Sequence, residues 1–458
     1  PAFLINNIRE MFPEMEIRQC GEVQDSMELL ELPGISLDYL LKGLAGEEYR
    51  DDAVFQELYS WYLQSPEYRT LVKRLTEVSF SERPSDMIGK TVAGILYGKV
   101  SPYSATRLER FAACAFAHFL QYGLKVTERA EYEFRAMDMG NVMHMALEKF
   151  AAEVRKEGLD WADLTEEERN RIIDDCLDQV SADYGNTVLK SSARNEYMLE
   201  RTRRILRRTV WALQEQLKHG AFRPEGFEVR FQGGRIDRVD IMEEPENNRV
   251  YVKVIDYKTG NTSFDLALYH GLQLQLMVYL DGALQVEKRK YPDREIVPAG
   301  VFYYNVKDPM IQEKIHADME SINEQMLKKM KMNGLVQADD NMSTKIDSTM
   351  ASIPVSLNRD GSFSKRSSVA SRKQFDALGA YVRRKICDIR ESILDGNAAV
   401  EPYELEKKNA CTYCPYLTVC GFDRKIPGYE FHRMSSIGED ALWKKIMKGE
   451  EENGSEMD

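Results

Sequence analysis

The run VIDYKTG, residues 254–260, sets a carboxylate and an ammonium two positions apart in a segment otherwise fit for a buried strand. A strand alternates its side chains, so Asp256 and Lys258 share one face while Ile255 and Tyr257 share the other. Charges in such a place are costly unless they are paired, hold a metal or do chemistry. The preceding segment GGRIDRVDIME carries Asp237 and Asp240. These have opposite parity, so only one of them can face Asp256 if EEPENN forms the connecting turn, and Asp240 is expected to matter less than Asp237. Two converging carboxylates repel unless a divalent cation neutralises them. Mg²⁺, a hard ion held by one or two carboxylates together with waters and phosphates, suits the pair. A lysine beside it can orient or deprotonate an attacking water and stabilise charge developing on a phosphate. The chemistry implied is metal-dependent phosphodiester hydrolysis. From spacing alone, a surface ion pair between Asp256 and Lys258 explains D-x-K equally well.

Three further groups bear on that choice. Gln275 and Tyr279 lie four apart in QLQLMVYL, on one face of a helix, where they could hydrogen-bond a nucleotide or phosphate; alone, such a pair is more often a helix flank. His144 sits on an otherwise apolar helix and is either a satisfied core residue or a third metal ligand or substrate-positioning group. NACTYCPYLTVCGFD holds Cys411, Cys414 and Cys420 as C-x2-C-x5-C, a spacing that points to metal. A closed site needs a fourth ligand, for which Cys114 has the best local context although it lies 297 residues before Cys411. Zinc and a [4Fe–4S] cluster both accept four thiolates, and spacing does not separate them. Cys20, Cys176 and Cys387 read as isolated thiols.

These residues need elements to hold them. Residues 1–100 read as helical, acidic segments punctuated by Pro and Gly. Ser/Pro at 101–104 opens a helix through about residue 120, and 140–154 forms another, with Met143, Leu147, Ala151 and Val154 on its apolar stripe. Thr165 to Glu168 is a capping box. From residue 227 the period changes to that of strands, FEVRF, GGRIDRVDIME and RVYVKVIDYKT. A helix over about 264–284, a strand in VPAGVFYYNV and a helix in HADMESINEQMLKKMKM follow. Then come a loop at 337–350, a strand and turn in IPVSLNRDGSF, and a helix over 369–394 ended by Gly396. The tail GEEENGSEMD reads as acidic and disordered.

The bulk properties fit a multidomain globular chain: 458 residues, 43% hydrophobic and 30% charged, with no apolar run of membrane-spanning length. The net charge of −13 argues against a protein that coats nucleic acid generically, but leaves room for a local basic groove. One candidate is Arg201, Arg203, Arg204, Arg207 and Arg208, which form either a solvated helix face or a phosphate-tracking patch. An odd count of seven cysteines and the missing secretory leader argue for the cytoplasm. The first residue is Pro, as expected of a piece of something longer.

Taken in order, SATRLERFAACAFAHFLQYGL, GNVMHMALEKF, FEVRFQGGRIDRVD, VIDYKTG, QLQLMVYL, IPVSLNRDGSF and NACTYCPYLTVCGFD resemble the RecB-like branch of the PD-(D/E)XK nucleases. More closely, they resemble the C-terminal nuclease part of the helicase–nuclease B-subunit family (AddB type), over about residues 95–425. The resemblance implies an α/β fold, a mixed central sheet flanked by helices, with an iron–sulfur staple and a helical N-terminal segment. It implies domains at 1–95 (the end of a helicase-like region), 96–425 (nuclease) and 426–458 (an extension). It also implies Mg²⁺ or Mn²⁺ at His144, Asp237, Asp256 and the Tyr257 carbonyl, with Lys258 as catalytic lysine and Gln275 with Tyr279 as the Q-x-x-x-Y pair. Cys114, Cys411, Cys414 and Cys420 would bind a [4Fe–4S] cluster; Ala115 stands where Pro usually follows the first of these cysteines. The implied partners are single-stranded DNA ends and, in a heterodimer, the motor-bearing A subunit of the helicase–nuclease, with a role in double-strand break resection for recombination. No G-x-x-x-x-G-K-[ST] loop is present, so this chain itself is not expected to hydrolyse ATP. Rival readings are a Cas4-like iron–sulfur exonuclease and a non-catalytic DNA-binding scaffold.

Overall fold

The computed structural model describes residues 2–14, 33–44, 53–79, 86–98, 104–127, 129, 136–184, 192–260, 262–311, 318–426 and 428–454. Cys20 and the last four residues of the acidic tail lie outside them. The chain divides into two compact units, Pro1–Pro84 and Ser85–Asp458. The first holds α1 (Ala2–Met11), α2 (Pro33–Leu44), α3 (Ala53–Gln64) and α4 (Arg69–Ser79). Tyr39, Leu40, Phe55, Leu58, Tyr62 and Val72 form its core.

The second unit begins with α5 (Lys90–Tyr97), α6 (Ala105–Ala113), α7 (Ala115–His118), α8 (Ala136–Lys156), α9 (Glu166–Asp183) and α10 (Ala193–Lys218). Then come β1 (Arg223–Phe231), β2 (Gly234–Glu244), β3 (Arg249–Lys258), α11 (Gln275–Lys290), β4 (Glu295–Asn305), α12 (Met319–Lys329), β5 (Asn333–Gln337), α13 (Met342–Ile346), β6 (Val369–Ala370) and α14 (Arg372–Leu394). It closes with β7 (Tyr403–Leu405), β8 (Lys408–Asn409), α15 (Leu417–Cys420), β9 (His432–Met434) and α16 (Glu439–Gly454). The unit starts ahead of residue 95 because residues 86–88 pair with 396–398: Ile88 N donates to Gly396 O and Ala398 N to Asp86 O.

Strands β1 to β6 form one mixed sheet in sequence order. The β1–β2–β3 pairs are antiparallel, β3–β4 parallel, β4–β5 antiparallel and β5–β6 parallel. Strand β3 shows why the sheet is central. Tyr251, Ile255 and Tyr257 enter one core with α8, α9 and α10, while Val250, Val252 and Val254 enter the other with α11 and α14. Burial on both faces suits a Val/Ile/Tyr-rich strand. The expected stripe of α8 is buried, Met143, Leu147, Ala151 and Val154 being at most 3% exposed. The Thr165–Glu168 capping box opens α9. Among the described residues no helix is long and apolar enough to cross a membrane.

Several boundaries differ from expectation. The helix expected over 264–284 is a 3₁₀ turn at Leu266–His270, capped by Asp265, followed by α11 from Gln275. Between them Gly271 takes φ +81, a left-handed conformation that ends one turn before the next begins. The helix expected from Val369 starts at Arg372, because Val369 and Ala370 pair with β5 and a Ser371–Gln374 capping box opens α14. IPVSLNRDGSF makes only the bridge Leu357–Phe363. The loop at 337–350 contains α13. The acidic tail continues helix α16 to Gly454, anchored by buried Leu442 and Ile446.

Candidate active site

The register Arg238↔Ile255 between β2 and β3, continued one step, sets Asp237 opposite Asp256. Asp240 takes the other parity and is fully buried elsewhere, gripped by Arg238 (Nε to Oδ1, 2.6 Å) and Lys253 (Nζ to Oδ2, 2.9 Å). Lys258 Nζ stands 2.6 Å from Asp256 Oδ2, an ion pair whose carboxylate is buried. The first residue of α11 bridges the pair: Gln275 Oε1 accepts from Lys258 Nζ at 2.8 Å, and Gln275 Nε2 donates to Asp256 Oδ1 at 3.0 Å. The same Nε2 lies 2.9 Å from the Tyr279 hydroxyl, which accepts from it and so keeps its own proton to give. Asp256, Lys258, Gln275 and Tyr279 therefore form one connected group at the carboxyl end of β3, where open α/β sheets place their ligands.

Asp237 links this group to α8. Its Oδ2 accepts from Tyr257 N at 2.7 Å and lies 3.3 Å from His144 Nδ1. His144 reaches that position because α8 passes close to the end of β3; a Cβ on Gly140 would sit 3.3 Å from Thr259 Oγ1. The Tyr257 ring lies in the opposite core, so its backbone, rather than its side chain, borders the carboxylates. Ligand atoms of His144, Glu228 and Asp237 lie within 4.8 Å of one another.

Electrostatically this is a site short of positive charge. Burial, and next the charge of Asp256, hold the Asp237 carboxyl well above its usual range, with partial relief from Tyr257 N–H. Burial also raises Asp256, against the pull of Lys258. His144 is pushed down to about 4 by burial and by Lys258, so at neutral pH it is an uncharged imidazole with a lone pair to offer. Burial raises Tyr279 to about 12, keeping it protonated.

Two carboxylates escaped the sequence reading. Glu109 on α6 accepts from Gln275 N at 2.9 Å, and burial pushes it up to about 7. Its partner is 166 residues away, so no local pattern marks it. Glu228 on β1 pairs with Arg235, and its left-handed φ of +49 appears in no residue-type signal; alternation in FEVRF was the one available hint. Four of the five candidate arginines of α10 are already engaged; the fifth, Arg201, is exposed. Arg203 and Arg207 pair with Asp174 and Asp178, and Arg204 and Arg208 with Asp308, which favours the solvated face over a phosphate patch.

The sequence profile of the PD-(D/E)XK nuclease superfamily matches residues 102–421, a span that includes every residue of this constellation. The chain belongs to the PD-(D/E)XK nuclease superfamily. It is also 37% identical to the B subunit of the ATP-dependent helicase/deoxyribonuclease of Lachnoclostridium phytofermentans, over 98% of this chain and 40% of that protein. Proteins of the same name from Alkaliphilus metalliredigens (32%; 98% of this chain, 41% of theirs) and Thermoanaerobacter sp. strain X514 (30%; 100% and 42%) are similar in the same way. The chain thus spans about two fifths of the length of the curated relatives it matches.

The nuclease fold carries a second candidate centre. Cys114, Cys411, Cys414 and Cys420 line one apolar pocket with Phe116, Tyr416 and Phe422. Cys114 lies at the break between α6 and α7, and Phe116 N ties that break to Ala399 O. Tyr416 donates its hydroxyl to Val126 O at 2.9 Å. Phe422 N donates to Cys420 Sγ at 3.4 Å. Burial, relieved by the amides of Ala117 and Phe116, raises the Cys114 thiol, and nearby Cys414 and Cys420 add to it. Cys176 is buried in the α8–α9–α10 core and Cys387 is exposed; neither reaches the pocket.

Proposed function

We propose that this chain is a metal-dependent deoxyribonuclease that hydrolyses phosphodiester bonds at single-stranded DNA ends. It would be the nuclease portion of a helicase–nuclease B subunit that works with a motor-bearing A subunit in double-strand break resection for recombination. The relatives' name, which makes each the B subunit of an ATP-dependent helicase/deoxyribonuclease, supports the context. The observation that carries the chemistry is the pair of opposed carboxylates, half-buried Asp237 and buried Asp256, both raised. That donor set fits a hard cation, Mg²⁺ or Mn²⁺, held by His144, Asp237, Asp256 and the Tyr257 carbonyl. When bound there, such a cation supplies charge neutralisation and Lewis-acid polarisation of the phosphodiester.

The chain's own groups do the rest. Lys258 presents its ammonium to charge developing on the phosphate and to the attacking water. Gln275 fixes Lys258 and Asp256 relative to each other through both ends of its amide. Tyr279 donates its free proton to a phosphate oxygen or base. Replacing Asp256 or Lys258 by Ala should cut Mg²⁺-dependent cleavage of single-stranded DNA by at least ~10²-fold, with far-UV circular dichroism unchanged. Undiminished cleavage by either folded variant would overturn the assignment.

The four cysteines are best read as ligands of a [4Fe–4S] cluster. Their sulfurs share one apolar pocket, and an amide N–H reaches Cys420 Sγ, the kind of contact that tunes cluster sulfurs.

A further inference from the structure

Next to the catalytic group, the turn between β1 and β2, α11 and α14 enclose a groove of about 210 Å³. Four arginines line it: Arg230 from β1, Arg289 from α11, and Arg383 and Arg390 from α14. Phe231 and Val278 contribute apolar lining. In a chain of net charge −13 this is a concentrated basic strip. The only carboxylate in its lining among the described residues is Asp281, which pairs with Arg383 at 2.9 Å. Among the described residues no carboxylate pairs with Arg230 or Arg289, and both are exposed. The groove adjoins the site through aromatic contact: the Phe231 ring stands edge-on to Tyr279 at 5.9 Å. The turn is pressed against α11 at Gly282, where a Cβ would collide with the Phe231 ring at 2.4 Å.

The geometry points to this groove as the track along which a single nucleic-acid strand runs to or from the catalytic group, its phosphates on Arg230 and Arg289 and a base against Phe231. The inference rests on the proposed nuclease reading and adds the strand's path to it. Charge selects the ligand: guanidinium groups favour phosphate, and an aromatic ring among them suits an unpaired base. Size selects the strand. About 210 Å³ holds a base or two, whereas a duplex presents a major groove alone about 12 Å wide and keeps its bases stacked inside.

The test uses the full 458-residue chain carrying R230E/R289E, two exposed side chains outside the catalytic group. Three quantities are measured against wild type. The first is anisotropy of a labelled oligothymidylate between about 50 and 200 mM salt. The others are Mg²⁺-dependent cleavage of that strand, and cleavage of thymidine 5′-(p-nitrophenyl phosphate), a diester too small to reach the groove. Strand affinity should fall at least ~10-fold and the log–log salt slope should lose about one to two units, while the small diester is cleaved at the wild-type rate. Phe231→Leu should weaken the strand by a few-fold with the salt slope intact, because stacking is lost and charge is not. Wild-type affinity and slope in R230E/R289E would overturn the track. Equal binding of a blunt duplex, with an equal loss in the variant, would overturn its restriction to a single strand. If wild type cleaves neither substrate while the variant still loses strand affinity, the nuclease reading fails and the groove stands.

Discussion

Asp237 and Asp240 are three residues apart, yet their loss should be felt in different measurements. Asp237 borders His144 and the Tyr257 amide. Asp240 is locked between two buried cations, with Arg238 also facing the rings of Trp161 and Phe227. Removing Asp240 strands both cations, which costs about 3–5 kcal/mol in buried pairs. Asp240→Ala should therefore show a clearly lower denaturant midpoint, and Asp237→Ala a near-normal midpoint with cleavage down at least ~10²-fold. The reverse pattern would mean that the strand register is wrong. Strand parity in the sequence separates the two residues, but the buried partners of Asp240 come from residues whose neighbours only folding supplies.

Glu109 offers a pH signature at the same scale. Its carboxyl is raised to about 7, first by burial, from an ordinary 4.5. Between those values the folded chain keeps a proton that the unfolded chain has released. Stability contributed there is present at low pH and is lost as pH rises through the window, by at most ~3 kcal/mol. Glu109→Gln retains an acceptor for Gln275 N–H and removes the titration. Its Tm in metal-free buffer should fall less than that of wild type between about pH 5 and about pH 8. Parallel curves would show that Glu109 ionises normally.

Among the elements, β1 to β4 and α8 to α10 are legible from composition, period and capping, because each is long: the helices bury an apolar stripe, and β3 and β4 are apolar runs buried on both faces. Helix α11 is legible in its apolar residues but not in its start, since Gly271 breaks the run by a backbone conformation that the hydrophobic pattern does not encode. That start matters, because it makes Gln275 the first residue of α11, where α6 grips it through Glu109. Helix α10 is ambiguous in sequence for the opposite reason: its arginines are visible there, but the carboxylates that occupy them come from α9 and the segment after β4. Exposed pairs of this kind contribute roughly 0–1 kcal/mol. Replacing Arg203 and Arg207 by Ala should lower stability within that range and leave oligothymidylate affinity and its salt slope unchanged. A variant that binds the strand ~10-fold more weakly would return α10 to the DNA path.

At the scale of the whole molecule, the cysteine pocket joins the α6–α7 break to the segment around α15, and α6 connects it to the Asp256–Gln275 group, with Glu109 five residues before Cys114. The proposed cluster would close a loop of 297 residues between Cys114 and Cys411. By analogy with a disulfide, such closure removes unfolded-state freedom equivalent to about 5–6 kcal/mol. Because a four-ligand site fails when any ligand is lost, Ser at Cys114 should do as much harm as Ser at Cys411, Cys414 or Cys420. Each variant should lose the yellow-brown absorbance near ~400 nm, together with iron and acid-labile sulfide, and become sensitive to protease. Loss of the tie at α6 should also loosen Glu109 from Gln275, so cleavage should fall although no catalytic residue has changed. Cys387→Ser, at an exposed position on α14, should keep both colour and stability. Cys176→Ser should keep the colour but lose about 1–3 kcal/mol, since it puts a hydroxyl into the packed core. A colourless, zinc-containing wild type would overturn the cluster, and a coloured, stable Cys114→Ser would remove Cys114 from it.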